Sequence, residues 1–175
     1  LQTPYVREFN EEREVAAWFL LDLSASVDFG SEKVKKRAVS TEFVTVLARI
    51  LTRHGNRVGA LLYGADVDTV LAPRSGRRHV LQMLHRMITR PELPAAAATD
   101  LNVLLHAAHE TIRRRSLVFV VSDFISRPGW AETLANLAMR HEVIAVRLYD
   151  PLEMELPDLG LLVIQDAETG ERLQL

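Results

Sequence analysis

Four short runs of apolar residues constrain the fold of this chain more than any other feature of its sequence. They span Val15–Leu21, Arg57–Tyr63, Leu117–Val121 and Val143–Leu148. Strands that are apolar at consecutive positions are typical of parallel sheets, because helices cover both faces of such a sheet. A weaker run, Val67–Leu71, follows the second run after a turn that is too short to contain a crossover helix. These two runs are therefore predicted to form an antiparallel hairpin at a sheet edge.

Segments with helical periodicity separate the strands. They are predicted near residues 31–54, 76–89, 100–114 and 128–140, and residues 161–175 are predicted to form a closing hairpin. In the first helix, the residues expected to share the buried face are Val39, Phe43, Val46, Leu47 and Ile50. The alternation of strands and helices predicts a single Rossmann-like three-layer α/β domain over residues 1–175.

The composition of the chain excludes several classes of function. Its 175 residues carry a net charge of -2, which gives no general affinity for nucleic acid. Because the chain contains no cysteine, disulfides, thiolate metal sites and cysteine nucleophiles are excluded. No apolar run approaches the roughly 20 residues that cross a bilayer. We expect a cytoplasmic domain without membrane contact of its own. Since the chain begins with Leu1 rather than Met, we also expect it to be a fragment of a longer protein. The N-terminal region that it lacks could contain a membrane anchor.

Polar residues with hard oxygen atoms follow two of the predicted strands and precede one helix. Asp22, Ser24 and Ser26 alternate directly after the first run, Asp123 follows the run Leu117–Val121, and Thr99 comes before a helix. If the two strands are neighbours, these groups are predicted to converge, since parallel strands end at one edge of a sheet. No Lys or Arg lies within the three segments, so a divalent cation is the expected counter-charge. Mg²⁺, Mn²⁺ and Ca²⁺ all prefer such oxygen ligands.

These residues resemble the metal-ion-dependent adhesion site of von Willebrand factor A domains. Nearly the whole chain is similar to the bacterial domain-of-unknown-function family 58. The motifs that carry this similarity are Arg7-Glu8-Phe9-Asn10-Glu11-Glu12-Arg13, Asp28-Phe29-Gly30, Thr99-Asp100-Leu101, Ser122-Asp123-Phe124 and Asp166-Ala167-Glu168-Thr169-Gly170-Glu171. Val27 departs from the methionine that is common after the second serine, which affects packing and leaves the candidate ligands intact.

The resemblance implies a von Willebrand factor A-type fold, with a mostly parallel six-stranded sheet of order 3-2-1-4-5-6 whose third strand is antiparallel. It also implies a Mg²⁺ at the carboxyl edge of that sheet. Ser24, Ser26 and Thr99 would bind the metal directly. Asp22 and Asp123 would act directly or through water.

The function implied by the resemblance is a non-enzymatic module that binds a protein partner. The metal would bridge to an Asp or Glu of that partner, and no nucleic acid is expected to bind. The family is also similar to proteins encoded beside MoxR-type AAA+ ATPases. This context implies such an ATPase as a partner in assembly or maturation.

Two other interpretations stay open on the residues alone. Haloacid-dehalogenase-like phosphatases also place a nucleophilic Asp after the first strand, so Asp22 could serve a Mg²⁺-dependent phosphatase or phosphotransferase. Such enzymes use a second Asp two positions later as the acid/base, and that position is Ser24 here. The other interpretation is a scaffold whose metal site does not function. His106 and His109 lie away from the apolar face of their helix and are predicted to be solvated.

Overall fold

A five-stranded sheet lies at the centre of the structure. Its strands are β1 (Ala16–Asp22), β2 (Arg57–Tyr63), β3 (Val67–Arg74), β4 (Leu117–Ser122) and β5 (Glu142–Arg147), in the order β3-β2-β1-β4-β5. All neighbouring strands are parallel except β2 and β3, which form an antiparallel pair. The predictions of a mostly parallel sheet and of an antiparallel hairpin at its edge are confirmed.

The computed structural model of the protein describes residues 15–28, 30, 34–91, 99–154, 163–165 and 172–174. The motifs predicted at residues 7–13 and 166–171, together with Phe29, lie outside the described residues. The loop over residues 92–98, which leads to Thr99, also lies outside them.

The sixth strand expected in the main sheet is not confirmed. β6 (Val163–Gln165) pairs with β7 (Arg172–Gln174) in a separate antiparallel sheet of two strands. Within the described ranges, β5 is therefore the last strand of the main sheet. The closing hairpin predicted near the end of the chain is confirmed. Such a pairing joins residues that are close in sequence, and this keeps the entropic cost of closing the loop small.

Helices cover both faces of the main sheet and complete the three predicted layers. They are α1 (Lys36–Arg53), α2 (Arg77–Ile88), α3 (Leu101–Thr111), α4 (Trp130–Arg140) and the short α5 (Pro151–Met154), and a 3₁₀ helix spans Ala25–Asp28. Alternate side chains of β1 point to opposite layers. Phe19 packs in the cluster that contains α1 and α2, whereas Leu20 packs in the cluster that contains α3 and α4. No helix in the described part of the chain combines the length and apolar character needed to cross a membrane.

The buried face of α1 agrees only in part with the predicted one, since Phe43 and Leu47 pack against the core as expected. The side chains that are about half exposed, against expectation, are Val39, Val46 and Ile50. Val44 and Ala48 are fully buried instead, in line with Lys36 at the start of the helix. Lys36 also points inward, where it forms an ion pair at the sheet edge. The periodicity of apolar residues alone does not indicate that a lysine lies on the buried face.

His141 is buried where α4 passes into β5. Neither of its ring nitrogens has a hydrogen-bond partner among the described residues. Burial lowers the pKa of the His141 imidazole, and the charges of Arg140 and His109 lower it further. The folded protein therefore holds this side chain in its neutral form over a wider pH range than the unfolded chain does.

We predict that His141 makes the stability of the protein sensitive to acid. The pKa of His141 is lower in the folded than in the unfolded state. The free energy of unfolding is therefore fully retained above the unfolded pKa and decreases as the pH falls below about 6.5, because the unfolded chain binds the proton more readily. The variant His141→Leu is expected to lose less stability between about pH 7.5 and about pH 5, and to be more stable than the wild type by about 1 kcal/mol at the lower pH. Urea unfolding at both pH values measures this.

The exposed His106 supplies the matched control, because His106→Leu removes a histidine from the surface of α3. This control should keep the acid sensitivity of the wild type. An unchanged pH dependence in His141→Leu would show that the buried imidazole is not responsible.

Candidate metal centre

Asp22 is the last residue of β1, and its carboxylate is completely buried. Its Oδ1 accepts a hydrogen bond from the Ser24 backbone N–H at 3.0 Å, and its Oδ2 accepts one from the Ser122 hydroxyl at 2.6 Å. Burial raises the pKa of Asp22, the hydrogen bonds from Ser122 and Ser24 lower it in part, and the charge of Asp123 raises it further. Both hydrogen-bond donors are neutral. Within the described residues, the charge of Asp22 therefore has no cation paired with it.

The loop after β1 brings two hydroxyl groups together. The Oγ atoms of Ser24 and Ser26 are 3.1 Å apart, and both side chains are buried. The 3₁₀ helix that starts at Ala25 turns the chain here, and the Val27 N–H donates to the Ser24 carbonyl at 3.1 Å. Adjacent oxygen ligands of an octahedral Mg²⁺, each about 2.1 Å from the ion, lie about 3 Å from one another. The spacing of the two hydroxyls fits two such ligands.

The loop after β4 forms the opposite side of the site. The Phe124 N–H donates to Ser122 Oγ at 2.9 Å, and the Ile125 N–H donates to Asp123 Oδ1 at 3.0 Å. Phe124 has a φ of 60°, a left-handed conformation that is unfavourable for a bulky side chain. Backbone strain of this kind concentrates at functional sites, where the surrounding contacts maintain it.

Thr99 is buried at the same edge of the sheet. Its carbonyl accepts a hydrogen bond at 3.2 Å from the hydroxyl of Ser126, which belongs to the loop after β4. The backbone N–H of the next residue, Asp100, donates to the Tyr63 hydroxyl at 3.0 Å. Tyr63 in turn lies opposite Asp22 in the register of β1 and β2. These contacts hold Thr99 between the carboxyl ends of the central strands.

The structure thus places all the predicted site residues at one sheet edge, and β1 and β4 are neighbours there. The residues concerned are Asp22, Ser24, Ser26, Thr99 and Asp123. Their role as metal ligands stays a prediction. In the described ranges, no group of three or more His, Cys, Asp or Glu side chains is placed to hold a metal ion. A cation at this edge would therefore depend on the hydroxyl groups as well as the two carboxylates.

Lys36 changes the predicted charge balance of the site. Its Nζ donates to Asp123 Oδ2 at 2.8 Å and to Glu153 Oε1 at 2.6 Å. Lys36 is the first residue of α1 and lies outside the polar segments that sequence reasoning combined. The expectation that only a divalent cation neutralises the acids is therefore wrong for Asp123. For Asp22, whose carboxylate receives hydrogen bonds from neutral groups, the divalent cation stays a prediction.

Three residues of this edge were missed by sequence reasoning. Lys36 and Glu153 carry no local signal, because their contact joins segments that are far apart in the chain. Ser122 does carry a local sequence signal, since it directly precedes Asp123 at the end of a strand that is predicted to adjoin β1. Both histidines of α3 lie outside the site. His106 is exposed, as predicted, whereas His109 is half-buried and its Nε2 lies 3.0 Å from an Arg140 guanidinium nitrogen.

Comparison with other sequences identifies one family and several relatives. A family model described as "Protein of unknown function DUF58" matches residues 1–175. Uncharacterized proteins from Mycobacterium bovis and Mycobacterium tuberculosis are 38% identical over 167 residues, which cover 95% of this chain and 53% of each relative. The chain therefore spans about half the length of these curated relatives.

Two solved structures from Bacteroides are similar to the fold. An aerotolerance-related membrane protein from Bacteroides fragilis aligns with a TM-score of 0.66 and 14% identity, over 92% of this chain and 81% of that one. The conserved hypothetical protein BatB from Bacteroides thetaiotaomicron aligns with a TM-score of 0.64 and 14% identity, over 91% of this chain and 75% of that one. At this level of identity, the likeness concerns the fold alone.

We predict that Ser122→Ala destabilises the protein by about 1–3 kcal/mol, because it removes a buried hydrogen bond to a carboxylate and a hydrogen-bond acceptor for the Phe124 N–H. Chemical denaturation in the absence of divalent ions measures this change. Ser116→Ala is the matched control, because the buried Ser116 hydroxyl donates only to the Arg114 carbonyl, two residues away. Equal stability losses in the two variants would contradict a special role for the contact between Ser122 and Asp22.

Proposed function

The chain belongs to the family described as "Protein of unknown function DUF58", and we propose that it is a von Willebrand factor A-like module that binds a protein partner through a divalent cation. Ser24, Ser26 and Thr99 would offer direct hydroxyl ligands to Mg²⁺. Asp22 and Asp123 would set the charge and the geometry of the site. The ion, when bound, supplies positive charge and a coordination position for an Asp or Glu of the partner.

The observation that carries this proposal is the buried carboxylate of Asp22. Both of its oxygens accept hydrogen bonds from neutral groups, and the carboxylate of Asp123 lies close enough to raise its pKa. Burying a charged carboxylate without a counter-charge costs roughly several kcal/mol, even when the carboxylate keeps its hydrogen bonds. A cation beside the Ser24 and Ser26 hydroxyls would offset that cost.

A shallow groove beside Asp123 supports a protein as the bound partner. It has a volume of about 440 Å³, and its lining includes the apolar side chains of Ile125, Trp130 and Leu134. The Ile125 side chain is 47% exposed. Protein interfaces commonly surround a polar anchor with apolar contacts that exclude water. An acidic partner residue at the metal would bring its neighbouring residues over this groove.

The phosphatase interpretation receives less support from the geometry. An attacking Asp22 would need an accessible carboxylate oxygen, yet this side chain is 0% exposed and both of its oxygens are engaged. Ser24 also offers no acid to protonate a leaving group. A MoxR-type AAA+ ATPase is the first partner to test, on the strength of the family resemblance.

We predict that Asp22→Ala abolishes Mg²⁺ binding while the fold survives, because the variant removes both the buried charge and its orientation of the Ser24 loop. Isothermal titration calorimetry with Mg²⁺ and circular dichroism measure the two parts of this prediction. Asp68→Ala is the control, since Asp68 is an exposed acid on the edge strand β3 and should leave Mg²⁺ affinity unchanged. Unchanged Mg²⁺ affinity in Asp22→Ala would rule out the site.

We also predict that partner capture depends on the metal. Immobilised wild-type protein should retain a purified MoxR-type ATPase from the same organism in Mg²⁺ and release it on addition of a chelator, and Asp22→Ala should retain none in either buffer. Retention that is equal with and without the chelator contradicts metal-dependent docking. Hydrolysis of p-nitrophenyl phosphate by the wild type, absent in Asp22→Ala, would favour the phosphatase instead.

A further inference from the structure

We propose that the Lys36 ammonium group competes with the divalent cation for Asp123, and that Glu153, which already contacts this group, holds it when the cation binds. The inference rests on the proposed function of the site. It assigns to this site two residues that do not bind the metal themselves and that together set its affinity.

The three side chains form an ion triad in which Lys36 and Asp123 are buried and Glu153 is partly exposed. The Lys36 side chain is 4% exposed and lies 2.8 Å from Asp123 Oδ2 and 2.6 Å from Glu153 Oε1. The Asp123 side chain is 1% exposed, whereas that of Glu153 is 22% exposed. The triad therefore joins the start of α1 to the end of β4 on the interior side and to α5 on the solvent side.

Lys36 is a competitor because its ammonium group already neutralises the Asp123 carboxylate at close range. One carboxylate oxygen of Asp123 accepts the Ile125 N–H and the other accepts the Lys36 ammonium. A divalent ion close to Asp123 would also repel an ammonium group only a few ångströms away, in a region with little water. Binding of the divalent ion is therefore coupled to release of Asp123 by Lys36.

Glu153 makes that release feasible. A buried ammonium group that loses its only acid is strongly destabilising, because its charge is left without compensation. Lys36 retains its contact with Glu153 after it leaves Asp123, so its charge stays paired. The Asp150 backbone N–H donates to Glu153 Oε2 at 3.1 Å and holds the carboxylate in place beside α5.

A double-mutant cycle on Mg²⁺ affinity, measured by calorimetry, tests the proposal. Lys36→Met should tighten Mg²⁺ binding about tenfold, because the competitor is gone. Glu153→Gln should weaken it by a few-fold, because Lys36 then loses the acid that holds its ammonium group away from Asp123. In the Lys36→Met background, Glu153→Gln should not change the Mg²⁺ affinity, since Glu153 acts only by holding the Lys36 ammonium group. An equal loss of affinity in both backgrounds would show that the Glu153 carboxylate acts on the Mg²⁺ only through its charge at a distance. That result would overturn the proposed role of Glu153.

Lys35→Met is the matched control, because it removes the same charge from the exposed neighbouring position. Its Mg²⁺ affinity should stay close to that of the wild type, and a tightening equal to that of Lys36→Met would overturn the competition. If Lys36→Met fails to fold without metal, Lys36→Gln replaces it, since a neutral amide still donates to Asp123 and should also tighten binding.

The Asp22→Ala variant separates failure of this inference from failure of the proposed function. If the wild type binds Mg²⁺ and Asp22→Ala does not, the proposed function stands, and an unchanged or weaker affinity in Lys36→Met then overturns the competition alone. If neither the wild type nor Lys36→Met binds Mg²⁺, both proposals fail. Binding by Lys36→Met but not by the wild type would support the competition and would contradict the proposed function of the wild-type site.

Discussion

The hydrogen bond from the Ser122 hydroxyl to the Asp22 carboxylate connects the carboxyl ends of the two central strands, and the geometry of the candidate site depends on it. β1 has β2 on one side and β4 on the other, so the order of the strands reverses between β1 and β4. Ligands of open α/β sheets bind at the carboxyl edge beside such a reversal. Because Ser122 also accepts the Phe124 N–H, the same hydroxyl fixes the position of Asp22 and the strained loop that presents Asp123.

The two acids of the site have different electrostatic environments. Asp123 is paired with a lysine inside the protein, whereas Asp22 receives hydrogen bonds from neutral groups, and burial raises its pKa. The negative charge of the site is therefore partly neutralised by Lys36 before any metal ion binds. In our account, the divalent cation compensates Asp22 and is opposed by Lys36, so metal affinity and partner docking depend on the balance between two cations. This balance gives Glu153, on a short helix at the same edge, an indirect part in binding.

The sequence predicts the sheet and the position of the candidate residues well, because both depend on local patterns. Continuous apolar runs indicate strands that are covered on both faces, and polar residues directly after them fall at the carboxyl edge. Lys36 could not be predicted in this way, since its contacts with Asp123 and Glu153 span 87 and 117 residues. The same lysine lies on the buried face of α1, which the apolar pattern predicts only in part, because the periodicity of apolar residues does not indicate a buried polar residue. The sixth strand of the main sheet was an expectation from family resemblance, and the described strands pair differently.

The anomalous scattering of Mn²⁺, in crystals of the wild-type protein soaked with that ion, would locate a divalent cation at this edge of the sheet directly. We predict one strong peak at the carboxyl edge of the sheet, within bonding distance of the Ser24 and Ser26 hydroxyls and next to Thr99. We also predict that the Lys36 ammonium group will have left Asp123 and will still contact Glu153. A map at saturating Mn²⁺ with no peak at this edge, and with Lys36 still paired to Asp123, would contradict both metal binding at this edge and the competition by Lys36.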